Sequence, residues 1–328
     1  MRIVRLLLNR LLQLAALALL ISLATFLLSA LIPGDFYSAQ ELDPSVRQQT
    51  LDRLRQQHGL DRSFLAQYGR WLQRSVRLDF GDSEFFRRPV RSIMLDALAK
   101  TLWLGIPALL AGLAGGILLG AFHARFRDRP PGMALDLLST LALALPTLVL
   151  GLAALLLAAS TQWFPLGGMN SPDLQAATFL GWLWDRLEHL LLPAACLTIP
   201  ILAYVERIQC AATGELLEAP HVRAARARGL SRPRIFFDYL LRPSLNPVLA
   251  ASGPLLGAVL SGSLVVEVIF AWPGLGQVTY DALFNRDQPL IAGCVVGSAF
   301  LLVAGNLAAD LLMLILDPRT RGRAGEAA

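Results

Sequence analysis

Between Leu216 and Pro247 the chain reads LLEAPHVRAARARGLSRPRIFFDYLLRPSLNP, with Arg223, Arg226, Arg228, Arg232, Arg234 and Arg242 set against only Glu218 and Asp238. This is binding chemistry: six guanidiniums offered either to a groove on a partner protein or to anionic lipid headgroups. Ala224, Ala225 and Ala227 are small enough to permit close contact. The spacing predicts an Ala-rich helix over 216–228, stopped by Gly229 as the residue after a helix end. It predicts a second short helix that Ser231 can cap, with Pro233 in its first turn, where a missing N–H is not needed. Phe236, Phe237, Leu240 and Leu241 give that helix an apolar side, and Pro243 and Pro247 are expected to stop it. The helix–glycine–helix pattern favours docking over lipid adsorption.

Elsewhere, chemistry-bearing residues are sparse. Glu206, Arg207, Glu267 and Asp310 lie within or at the edges of apolar runs, where ionisable groups are functional candidates by default. Glu206 and Arg207 are adjacent near one end of their run, where solvation alone would account for them. Asp310 is four residues after Asn306, so the two share a helix face. The three cysteines, Cys196, Cys210 and Cys294, show no C-x-x-C spacing and read as buried small residues. His58, His123, His189 and His221 are scattered, with no H-E-x-x-H motif, so no metal site is expected. Lys100 is the only lysine and has no glycine-rich loop before it, which excludes a P-loop. No catalytic residue and no cofactor site is expected.

The elements that must position these residues are apolar. The chain is 55% hydrophobic and 16% charged over 328 residues, against roughly 45–50% and about 25% for a soluble domain. The apolar residues fall in blocks of about twenty, the length that crosses some 30 Å of hydrocarbon. The fold class is therefore all-α, a polytopic membrane protein. Six spans are predicted: Leu11–Ile32, Thr101–Phe122, Leu135–Ser160 with Pro146 inside it, His189–Ala211 bent at Pro193 and Pro200, Val248–Phe270, and Pro289–Leu316. The first is too long for a signal-peptide core and reads as an uncleaved span. Gly112, Gly116 and Gly120, and then Gly253, Gly257 and Ser261, form stripes of small residues that let another helix approach, within the bundle or at a subunit interface.

The organisation follows: residues 1–34 hold the N-terminus and first span, and 35–97 form a small extramembrane helical subdomain. A five-helix core covers 98–316 and includes the 212–247 segment; 317–328 form a basic tail. In the subdomain, Ser45 and Gln48 have capping-box spacing and Gly59 is a plausible stop. A second amphipathic segment after Ser63 places Phe64, Tyr68, Trp71 and Leu72 on one face, and 78–83 reads as a turn. An expected loop over 161–188 carries Trp163, Trp182 and Trp184, and another covers 271–288. Six spans put both termini on one side. The arginines of the N-terminus, of 123–131, of 212–247 and of the tail share that side, so it is expected to be cytoplasmic. The ten arginines of 35–97 are offset by nine acidic residues. The net charge of +5 reflects this topology and is not a nucleic-acid signal.

Several short motifs, in order along nearly the whole chain, resemble those of the permease subunits of ABC importers, specifically the peptide/opine/nickel group. Ala225–Ser231 (ARARGLS) is similar to the core of that group's EAA loop. Glu267-Val268-Ile269-Phe270 with Pro273-Gly274-Leu275-Gly276 is similar to its E-x-I-F-x-x-P-G-L-G. Arg286-Asp287 and Asp317-Pro318-Arg319 match its R-D and D-P-R. Pro33-Gly34-Asp35, Gly59-Leu60-Asp61 and Phe80-Gly81-Asp82-Ser83 resemble motifs of the longer-loop, B-type subunit. There are departures: Arg223 occupies the EAA glutamate position, Pro220-His221 replaces Asp-Tyr, Cys210 stands where arginine is common, and Arg242–Pro247 differs from R-N-A-L-L-P.

The resemblance implies the type I importer permease fold in a bacterial inner membrane. It implies pairing with a second homologous permease, two ATP-binding subunits beneath, and an extracytoplasmic solute-binding protein. ATP would be hydrolysed on a partner chain. Coupling would fall to Glu215, Arg223, Ala224, Ala225, Arg226, Ala227, Arg228, Gly229, Leu230 and Ser231. Glu267, Pro273, Gly274 and Gly276 would form a family motif near the outer face. Di- or oligopeptides would be the commonest substrates, with nickel chelates, opines and sugars as alternatives. The rival reading is a secondary transporter subunit working without ATP, which the absence of an evident inverted repeat disfavours.

Overall fold

The computed structural model describes residues 63–171 and 178–316, together with parts of 12–27 and the single positions Gln49 and Arg53. The expected capping box at Ser45 and Gln48, the stop at Gly59 and the 317–328 tail lie outside the described residues. Among the described residues after 63 there are ten α-helices: α1 Phe64–Ser75, α2 Val90–Arg125, α3 Pro130–Ala144, α4 Thr147–Thr161, α5 Phe179–Leu217, α6 Pro220–Ala227, α7 Arg232–Arg234, α8 Arg242–Ile269, α9 Leu275–Phe284 and α10 Gln288–Leu316. A π-helical segment, Ile235–Leu241, joins α7 to α8. Among the described residues no β-strand forms.

Among the described residues three helices are long and apolar enough to cross a membrane, α2, α5 and the 288–308 part of α10, and two bent pairs bring the number to five. Of the first expected span, parts of 12–27 are described, and they are helical. Leucines such as Leu118, Leu156 and Leu180 are exposed on these helices, as lipid-facing residues must be.

Two prolines act differently from expectation. Pro146 does not sit inside a continuous third span. Leu145, the residue before it, is pushed to extended backbone (ψ 122°), Pro146 becomes the N-cap of α4, and α3 and α4 meet at 102°. Pro243 and Pro247 do not stop the segment before the fifth span. The chain runs on through the π turn into α8. Pro243 has no N–H for the Tyr239 carbonyl four residues earlier, and His221 Nε2 stands 3.4 Å from that oxygen. The expected loops are also partly helical: Trp182 and Trp184 lie on α5, and α9 occupies most of 271–288.

The chain divides into two compact units, 1–101 with 273–303, and 102–272 with 304–328. In the first, Tyr68 and Trp71 lie on the inward side of α1, each with its ring against Phe26, 5.4 Å between centroids, and Trp71 also meets Phe80. The 78–83 turn forms as expected, with Gly81 at φ 87° and an Asp82–Pro89 bridge. Asp287 is fully buried and accepts Ser83 Oγ (2.6 Å), Phe85 N (3.1 Å) and Leu290 N (3.2 Å). Two motifs some two hundred residues apart thus meet on one carboxylate.

In the second unit the Gly112/Gly116/Gly120 stripe packs α2 on α5. A Cβ there would stand 2.6 Å from Ile201 Cγ2, 2.6 Å from Val205 Cβ and 2.5 Å from the Glu206 carbonyl oxygen, respectively. The stripe therefore serves packing within the chain. Around it lie two apolar clusters, one on Leu104, Cys196, Val266, Phe270 and Trp272, the other on Leu109, Ile201, Val205, Leu255 and Val259.

Candidate functional site

The 212–247 segment is built by local rules. Helix α5 ends at Leu217. Ala219 is extended (ψ 144°) because Pro220 follows, and Pro220 opens α6. At the other end Gly229 takes φ 71°. Its N–H donates to the Arg226 carbonyl (3.0 Å) and the Leu230 N–H to the Ala225 carbonyl (3.3 Å), the paired bonds that close a helix through a left-handed residue. Nothing lies within 4 Å of where a Gly229 Cβ would be, so glycine is required here for its backbone freedom and not for space. Ser231 takes the next N-cap position, but its side chain makes no capping bond.

Leu230 folds back onto Val222, Ala225, Ile235 and Leu240, a small separate core under the corner. This sorts the expected coupling residues. Ala225 is buried and serves internal packing; Leu230 is half-buried. Glu215, Arg223, Ala224, Arg226, Ala227, Arg228, Gly229 and Ser231 are exposed, as are Arg232, Arg234 and Arg242. Two of these arginines have partners within the segment, Arg223 Nε on the Glu218 carbonyl (2.8 Å) and Arg234 near Asp238 (3.7 Å).

A residue the sequence reading overlooked fastens the base of the segment. Gln209, fully buried on α5, donates through Nε2 to Thr213 Oγ1 (3.0 Å) and to Ser244 Oγ of α8 (2.6 Å). The helices that enter and leave the corner are thus tied to each other. A buried glutamine in an apolar helix, four residues before a threonine, is the signal that could have found it.

Glu206 is not solvated. It is fully buried, with Oε1 2.5 Å from His123 Nδ1 of α2, and Oε2 accepting Ser139 Oγ of α3 at 2.6 Å. Arg207 points elsewhere, to Thr140 Oγ1 (2.5 Å) and Asp136 (3.4 Å), because successive helical residues are about 100° apart. Glu267 is fully buried near the end of α8 and is not an unpartnered charge. The motif it opens is divided: Glu267 belongs to the second unit, while Pro273, Gly274 and Gly276 belong to the first, where Gly274 is the N-cap of α9 and Leu275 N donates to Thr101 Oγ1 (2.8 Å). For Asp310 the described residues give the helix but not the side chain.

A cavity of about 300 Å³ opens between α4, α5 and α8, lined by Thr147, Pro200, Tyr204, Pro254, Leu255 and Val259 among others. No carboxylate, imidazole or thiol lines it.

Residues 116–322 match the family described as binding-protein-dependent transport system inner membrane component, and residues 3–89 match the N-terminal membrane component of such systems. The chain belongs to this family. The permease is 33% identical over 301 residues to the oligopeptide transport system permease protein AppB of Bacillus subtilis, covering 91% of this chain and 93% of that one. It is 29% identical to the nickel import system permease protein NikB of Staphylococcus aureus, covering 99% and 94%. Among solved structures it shares a fold with a chain of the MetNI methionine ABC transporter in inward-facing conformations, with a TM-score of 0.51 at 16% identity over 69% of this chain and 96% of that one. It is therefore an ABC importer permease, a multi-pass inner-membrane protein of the binding-protein-dependent kind.

Proposed function

We propose that this permease imports di- or oligopeptides, and that the corner at Gly229 is where ATP-driven motion of partner ATPase subunits enters it. The observation that carries the reading is the corner's construction. An exposed, arginine-rich helix is held rigidly by its own small core, and the helices on either side of it are joined by the Gln209–Ser244 bond. A push on α6 is thereby delivered to α5 and α8 together. Closure of the ATPases favours one position of α6, and the attached helices favour the matching pore state, a population shift by differential contact.

In this reading both termini and the 212–247 segment are cytoplasmic, two ATP-binding subunits dock against α6, and a solute-binding protein delivers substrate on the opposite side. A second homologous permease completes the path, lined on this side by α2 to α5 and α8. The cavity wall between α4, α5 and α8 supports a peptide cargo: it offers apolar side chains, the Tyr204 ring and no metal ligand. The likeness to a nickel import permease keeps nickel chelates as the second reading.

Gly229→Pro tests the coupling role. Proline cannot adopt φ 71° and has no N–H for the Arg226 carbonyl. The variant subunit is expected to insert normally, and both uptake and substrate-stimulated ATPase activity should fall to background in reconstituted vesicles. Normal uptake would refute the assignment.

A further inference from the structure

His123 and Cys210 stand apart in the sequence, but the fold brings them together with Glu206. Glu206 and Cys210 are four residues apart on α5 and so share a face; His123 comes from the last turn of α2. One imidazole nitrogen, one carboxylate oxygen and the Cys210 sulfur all lie within 4.8 Å of one another, and all three residues are buried. The α2 backbone reaches this level because Gly120, three residues before His123, lets it touch α5.

We propose that His123, Glu206 and Cys210 form a site for one borderline-soft divalent ion of the zinc kind, which fastens α2 to α5. Imidazole, thiolate and carboxylate are the donors such an ion takes, and three of them leave a fourth position for water. Ser139, donating to Glu206 Oε2, is the outer partner that orients a ligating carboxylate.

The charge balance fits an apolar interior. A divalent ion, a thiolate, a carboxylate and a neutral imidazole sum to zero. Loading displaces the thiol proton, as metal binding to cysteine must, and leaves no net charge in a medium where charge is costly. The His123–Glu206 contact must open from 2.5 Å to about 3.4 Å, the span of two ligand bonds of about 2.1 Å at a tetrahedral angle. That is a side-chain adjustment.

The test is a zinc titration of the full-length chain, purified with its co-purifying subunits, stripped of metal and placed in nanodiscs, against a chromophoric chelator. One zinc per copy of this chain is expected. Cys210→Ser and His123→Gln should each weaken binding more than about tenfold, and Ser139→Ala about tenfold. Cys196→Ser and Cys294→Ser, which alter the other two buried thiols, should leave it unchanged. X-ray absorption on the loaded wild-type protein provides a readout that does not depend on any variant folding: one sulfur at about 2.3 Å with nitrogen and oxygen near 2.0–2.1 Å. Absence of stoichiometric zinc, a shell without sulfur, or undiminished binding in both Cys210→Ser and His123→Gln would overturn the site.

Discussion

Gly229 and Gly120 are the same residue used for opposite reasons. At Gly229 the space for a side chain is open but the backbone stands at φ 71°. At Gly120 the backbone is helical, and a Cβ would lie 2.5 Å from the Glu206 carbonyl oxygen and 3.0 Å from Cys210 N. One glycine makes a turn on an exposed, arginine-bearing corner. The other allows two spans to touch along their backbones. The lesson concerns where the molecule can yield. The corner rests on a core of a few side chains, whereas the α2–α5 seam is in direct contact over two turns. On the proposed coupling role, the corner is the part that moves as a unit while the seam stays shut.

The comparison can be broken by adding one methyl group at each place. Gly120→Ala should do the most damage, about 3 kcal/mol at the overpacked end of core substitutions, because the atoms it meets are backbone and cannot rotate away. It is expected to lower the unfolding temperature in detergent markedly and to abolish uptake; an unchanged melting temperature would show that the seam is looser than described. Gly229→Ala should cost less, about 1 kcal/mol for placing a Cβ in left-handed backbone, with insertion preserved and ATP-coupled uptake reduced. If its loss of stability matched that of Gly120→Ala, the distinction between a conformational and a steric glycine would fail. The smallest effect, with the opposite sign, belongs to Gly214 on α5. A Cβ there meets nothing within 4 Å, so Gly214→Ala should be neutral or stabilise by up to about 1 kcal/mol through helix propensity. Thermal unfolding of the three variants side by side ranks them.

The 212–247 segment was more legible in the sequence than the interior was. Gly229 and the exposed arginines are local signals and appear where periodicity and capping chemistry place them; of the expected apolar side Phe236, Phe237, Leu240 and Leu241, Leu240 is buried but Phe237 is exposed. Reading failed there at Pro220, before which the expected single helix over 216–228 breaks, at Ser231, whose side chain makes no capping bond, and over Pro243 and Pro247, where a π turn and His221 accommodate what proline removes. In the interior the Gly112/Gly116/Gly120 stripe was visible as a pattern, but its partner was not. Glu206 looked like a solvated residue beside Arg207. Neither the Gln209–Ser244 bond nor the Ser83–Asp287 bond could be read, because each joins residues whose spacing in sequence carries no period.

The sequence by itself determined the class of the molecule. Blocks of about twenty apolar residues admit only membrane-spanning helices, since no other single-chain element satisfies its backbone bonds in lipid without closing a barrel. It also determined the corner, since φ 71° after an Ala-rich helix calls for glycine. What only the tertiary structure decided is which charges are buried and with whom. A helix shows which residues share a face but not what that face meets, and His123, Ser139, Glu206 and Cys210 become one site only when α2, α3 and α5 pack together.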